Sequence, residues 1–128
     1  MNKIRMTIGI AALLMISLGA FAAAEKETVV EGTLVDGKCY VGDNSLTGDD
    51  HGPMTGCGEM CLKGGSPAGL VTKEKKFMAI LAPAPALAGH VGAHARVSGK
   101  MQNGSIAASK VEIEKNGKWE EVKLGAMM

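Results

Sequence analysis

Val29-Val30-Glu31-Gly32-Thr33-Leu34-Val35-Asp36-Gly37-Lys38-Cys39-Tyr40-Val41 is the stretch on which the reading of the fold turns. Val29 to Val35 is rich in branched residues and reads as a strand, because such side chains pack well on a pleated surface. Gly32 inside it marks a bend or a bulge. Asp36-Gly37 is a turn or bulge signal, and Lys38 to Val41 is read as the strand resuming, with Cys39 and Tyr40 near its end. A long first strand kinked at glycine fits a small barrel turning a corner.

The chain downstream supports that reading. Gly69 to Thr72 and Phe77 to Leu81 are two strands joined by the polar connection Lys73 to Lys76. Pro83 to Gly89 is an irregular or briefly helical crossover. Val91, Ala93, Ala95 and Val97 alternate with Gly92, His94, Arg96 and Ser98, the pattern of a half-buried strand running to Met101. Asn103-Gly104 turns it into Ile106 to Lys115, with Val111 and Ile113 facing inward. Asn116-Gly117 turns again into Lys118 to Leu124. Met78 and Met101 are expected in the core. The expected fold is mainly β: a small OB-like Greek-key barrel of about five to six strands with one short cysteine-bearing helical turn.

Upstream, Lys3 and Arg5 precede the apolar run Ile8 to Leu18, and small residues from Ala20 to Ala24 lead to Glu25-Lys26-Glu27. That is the layout of a secretory signal peptide, read as residues 1–24, with one domain over 25–128. The apolar run is short for a bilayer span, which takes ~20 residues. Cleavage removes two of the 14 basic residues against 13 acidic ones, for a formal net charge of −1. The charge therefore favours neither nucleic acid nor an anionic membrane. Tyr40, Phe77 and Trp119 are the only aromatic residues past the signal, too few for a base-stacking surface. The core must come from Val, Ile, Leu, Ala and Met, and at this size a covalent or metal staple matters.

The residues with chemistry are Cys39 and the pair in Cys57-Gly58-Glu59-Met60-Cys61-Leu62-Lys63. On a helical turn, residues four apart share a face, so both thiols of the pair point the same way. Gly64-Gly65 stops that turn. Three cysteines in an exported chain leave one spare after a disulfide, or all serve a metal. One expectation is a disulfide from Cys39 to Cys57 or Cys61, closing a loop of about 20 residues worth roughly 3 kcal/mol. The other is a metal site of Cys39, Cys57 and Cys61, completed by His51, Met54 or Met60. Three cysteines with a histidine suit zinc, and thiolate with thioether suits copper(I). The ligands His51 and Met54 sit in the aperiodic segment Gly42 to Gly56, of a length that is often functional. A redox enzyme ranks third, since thioredoxin-like motifs place two residues between their cysteines and this chain places three. His90 and His94 are read as solvent-facing, and no phosphate loop, paired-carboxylate motif or Ser-His-Asp signature occurs.

Gly32-Thr-Leu-Val-Asp36-x-Lys38-Cys39-Tyr40, followed by Cys57-x-x-x-Cys61-Leu-x-x-Gly-x-Pro67-x-Gly69-Leu-Val and Val97-x-Gly99, resembles a group of small exported bacterial proteins with an OB-like β-barrel. The resemblance implies the barrel and an envelope location, and no reaction. The expected function is a periplasmic or secreted binding or accessory module, not an enzyme, whose cysteine cluster staples the fold or holds a soft metal. A copper(I) or zinc carrier and a thiol-disulfide redox protein are the alternatives. The expected partner is an envelope protein or a small ligand. No nucleic acid, no stable membrane insertion after cleavage and a monomeric state are expected.

Overall fold

A computed structural model describes residues 26–125. The signal peptide read at residues 1–24 lies outside them. Among the described residues no helix is long and apolar enough to cross a membrane.

Among the described residues six strands form one sheet: β1 (Thr28–Asp36), β2 (Ala68–Val71), β3 (Phe77–Leu81), β4 (His94–Gln102), β5 (Ser105–Lys115) and β6 (Lys118–Glu121). Their order is β3-β2-β1-β4-β5-β6, and a further pairing of β3 with β5 closes the sheet on itself. That closing pairing is parallel, whereas all the others are antiparallel. The result is the OB-like Greek-key barrel expected from the sequence, with β6 added along β5 beyond its pairing with β3.

β1 is shared between the two halves of the barrel. Residues Thr28 to Thr33 pair with β4, and Thr33 to Asp36 pair with β2, so one strand serves both halves. Gly32 sits at the change of partner, where a Cβ would collide with the Val71 carbonyl oxygen. In β4 a bulge interrupts the register between Ser98 and Gly99. Both Asn-Gly pairs turn as predicted, with Asn103 and Gly104 at φ 51° and 74° and Asn116 and Gly117 at φ 51° and 73°.

Leu34, Leu70, Leu87, Val97, Ile106 and Ile113 fill the barrel. The crossover forms helix α3 (Ala84–Leu87) and a 3-10 turn (Ala88–His90), which bury Leu87 and Ala88 in that core. Leu62 enters the same core from helix α2 (Cys57–Lys63), so the cysteine-bearing turn is also an apolar plug.

Two expectations are corrected here. Lys38 to Val41 is not strand: Gly37–Gly42 is a short helix, α1. Asp36 caps it by accepting a hydrogen bond from the Lys38 amide, and Tyr40 turns inward to stack on Phe77 at 5.6 Å between ring centroids. Packing and a good cap override the strand preference of Val41 and Tyr40. Met101 is exposed rather than core, because it lies past the bulge near the β4–β5 turn. Met78 does pack against the core. His94 faces outward as expected but not alone: its Nδ1 lies 2.7 Å from a Glu114 carboxylate oxygen, and its ring tilts against Trp119.

Candidate metal centre

β1 ends at Asp36, which is fully buried. Its Oδ1 accepts hydrogen bonds from the Lys38 amide at 3.0 Å and from the Ser66 hydroxyl at 2.8 Å. Ser66 is held in place because its own amide donates to the Cys61 carbonyl at 2.9 Å, just past Gly65 at φ 94°. Gly37 donates to the Pro67 carbonyl at 2.8 Å. The exit of β1 and the exit of α2 are thus laced together. Lacing brings Cys39, on α1, and Cys61, on α2, to the same carboxylate.

The ligand atoms of Asp36, Cys39 and Cys61 all lie within 4.8 Å of one another. Asp36 Oδ2 is buried and accepts no hydrogen bond. The two thiols interact with the carboxylate, but neither completes a bond of good geometry to that oxygen. Cys57 is buried one helical turn before Cys61 and lies near enough to both other thiols to oppose their ionisation. All three are free thiols, so the expected crosslink from Cys39 to Cys57 or Cys61 is not formed in this structure.

The electrostatics follow from this crowding. Burial by itself would raise the Asp36 pKa, but the hydrogen bond from Ser66 and the two thiol groups set beside the carboxylate outweigh it and hold the carboxyl below the usual range. The thiols respond in the opposite direction. Cys61 is pushed up to about 12, first by the Asp36 carboxylate beside it and then by burial. Burial, then Asp36, raises Cys39. With the carboxylate charged, a second and third negative charge in the same place is costly.

This predicts a silent thiol. In the reduced protein at pH 8, Cys61 should react with iodoacetamide at least about 100-fold more slowly than in the unfolded chain, because only the thiolate attacks. Peptide mass mapping of timed samples gives the rate, and equal rates would show that Asp36 does not control Cys61.

The long segment before α2 is ordered by its own side chains. Asp49 Oδ1 accepts from the Glu59 amide at 2.6 Å and the Asp49 carbonyl from the Gly58 amide at 2.9 Å. Asp49 thereby caps α2, whose N-cap Gly56 has no side chain to do so. His51 is buried within this segment, its Nε2 at 3.1 Å from the Gly48 carbonyl. It lies outside the group formed by Asp36, Cys39 and Cys61. Met60 and Met54 are exposed, at 64% and 55%. The structure therefore brings two of the three cysteines, Cys39 and Cys61, together with Asp36, while Cys57 and His51 lie outside that group.

Asp36 is the residue that sequence reading missed. Read as a turn former before Gly37, it is instead a helix cap three positions ahead of Cys39. A cap side chain folds back over the first turn, which is where Cys39 stands.

Neither a family model, a curated protein nor a solved structure matches this chain.

Proposed function

We propose that this protein is an exported, single-domain metal-binding module, a carrier or buffer for a divalent ion of the zinc class, held by Asp36, Cys39 and Cys61. The observation that carries this reading is the buried Asp36 Oδ2, unpartnered beside two thiols. A buried, ionised, half-satisfied carboxylate costs stability. A cation at that point offsets the cost and turns the thiols into ligands, releasing their protons.

The donor chemistry favours zinc. Zinc takes thiolate at ~2.3 Å and carboxylate at ~2.0 Å in a tetrahedron, so its donors stand roughly 3.3–3.8 Å apart. Donors already within 4.8 Å of one another need only a small inward shift. Copper(I) prefers soft ligands alone, and a carboxylate is hard. Copper(I) is the second reading, favoured by Cys57 beside Cys61, which would supply a third sulfur in place of Asp36. Binding rather than catalysis fits a group in which no histidine joins the thiols among the described residues. The periplasmic or extracellular address rests on the signal-like residues 1–24.

Titration of the reduced protein with cobalt(II), a spectroscopic stand-in for zinc, tests the proposal. One equivalent should bind with intense thiolate-to-cobalt charge-transfer absorption. Cys61→Ser should remove most of that band, while His51→Ala and Met60→Leu should keep it. Absence of the band, or its persistence in the Cys61→Ser protein, overturns the reading.

A further inference from the structure

We propose that Cys39 and Cys61 form a reversible disulfide with each other, and that its formation expels the bound metal. The inference rests on the metal reading above and adds its control.

The two sulfurs lie within 4.8 Å of one another, so bond formation needs a shift of the order allowed by side-chain rotation and small helix movement. They sit on separate short helices, α1 of six residues and α2 of seven. Both helices end in glycine-containing segments, at Gly42 and at Gly64-Gly65. Cys39 and Cys61 are each partly exposed, whereas Cys57 is buried. A disulfide reagent from solution therefore meets the first two and not the third.

The same two sulfurs are two of the three donors around Asp36. A disulfide sulfur is no longer a thiolate ligand, so oxidation removes both at once and leaves a lone carboxylate. Metal site and staple, read from the sequence as alternatives, become two states of one pair.

The oxidant is a disulfide, RS–SR, small or protein-borne. The thiolate of one cysteine attacks an RS–SR sulfur, forming a mixed disulfide and releasing RS⁻. The thiolate of the other attacks the protein sulfur of that mixed disulfide and releases the second RS⁻. Two electrons pass from the cysteine pair to RS–SR, which leaves as two RSH after protonation, and the divalent ion departs with its charge unchanged. The new bond ties α1 to α2, which already meet around Asp36, so the barrel need not open.

The test uses the full chain, reduced, loaded with one equivalent of cobalt(II), then exposed to oxidised glutathione. Metal release is followed with a chromophoric chelator, and bonds are located by peptide mass mapping. The expected result is one equivalent released in step with a Cys39–Cys61 linkage, one alkylatable thiol left at Cys57 after unfolding, and recovery of binding on adding dithiothreitol. The Cys57→Ser protein should do the same. Metal that stays bound with thiols intact overturns the switch and leaves the metal reading standing. So does release through a linkage to Cys57. Failure of the reduced chain to bind cobalt overturns the metal reading itself, and the switch with it.

Discussion

Asp36→Asn is expected to weaken zinc binding by roughly 100-fold or more while leaving the barrel folded. Asparagine keeps the Oδ1 acceptor, so the cap on Lys38 and the bond from Ser66 survive. What disappears is the negative charge and the unpartnered anionic oxygen. Changes to groups that merely orient a metal ligand cost about 10- to 100-fold in affinity, so loss of a direct ligand should reach at least the upper end. Competition against a chelator of known affinity measures it. The same variant should speed alkylation of Cys61, since Asp36 is the main reason that thiol resists ionising. A third consequence concerns acid. The Asp36 carboxyl is held below its ordinary pKa, so its charge contributes stability above the unfolded value, and that contribution is lost as pH falls through the lowered folded value. Urea midpoints should therefore fall less between pH 6 and pH 3 in Asp36→Asn than in the parent. Unchanged zinc affinity would remove Asp36 from the ligand set.

Gly99→Ala should destabilise the fold by about 3 kcal/mol or more, the upper range for overpacked sites. Gly99 stands at the bulge in β4, and a Cβ there would fall far inside contact distance of the Ala107 carbonyl oxygen. The obstruction is backbone on the neighbouring strand, so no rotamer change relieves it. Moving that backbone means moving β5 where it pairs with β3, at the seam that closes the barrel. For a domain of this size such a loss lowers Tm by roughly 12 °C or more, readable by circular dichroism. Gly104→Ala makes the contrast, since nothing lies near its Cβ and only its positive φ of 74° resists the change. A Gly99→Ala protein melting with the parent would mean that the bulge tolerates a side chain.

Most strands were legible because their signals are local. Alternation in β4 and β5 and two Asn-Gly turns define the hairpins without help from the rest of the chain. Helix α1 was not legible, because Cys39-Tyr40-Val41 carries strand-like side chains and the deciding contact, Tyr40 on Phe77, spans distant positions. The meeting of Cys39 with Cys61 depends on helix α1, which carries Cys39 and which the sequence reading took for strand. The role of Asp36 could not, because its partners Ser66 and Cys61 arrive only when β1 pairs with β2. His51 looked like a ligand by proximity in sequence, but the segment around it closes on Gly48 instead.

Cys61 and Leu62 are neighbours on one seven-residue helix, the first at the thiol cluster and the second fully enclosed among the barrel's apolar side chains. Whatever pulls on the sulfur therefore tugs a lever seated in the hydrophobic interior. Occupancy at the thiol cluster should be felt as slower amide hydrogen exchange deep inside, so that the interior of the protein keeps a record of whether its cargo is aboard.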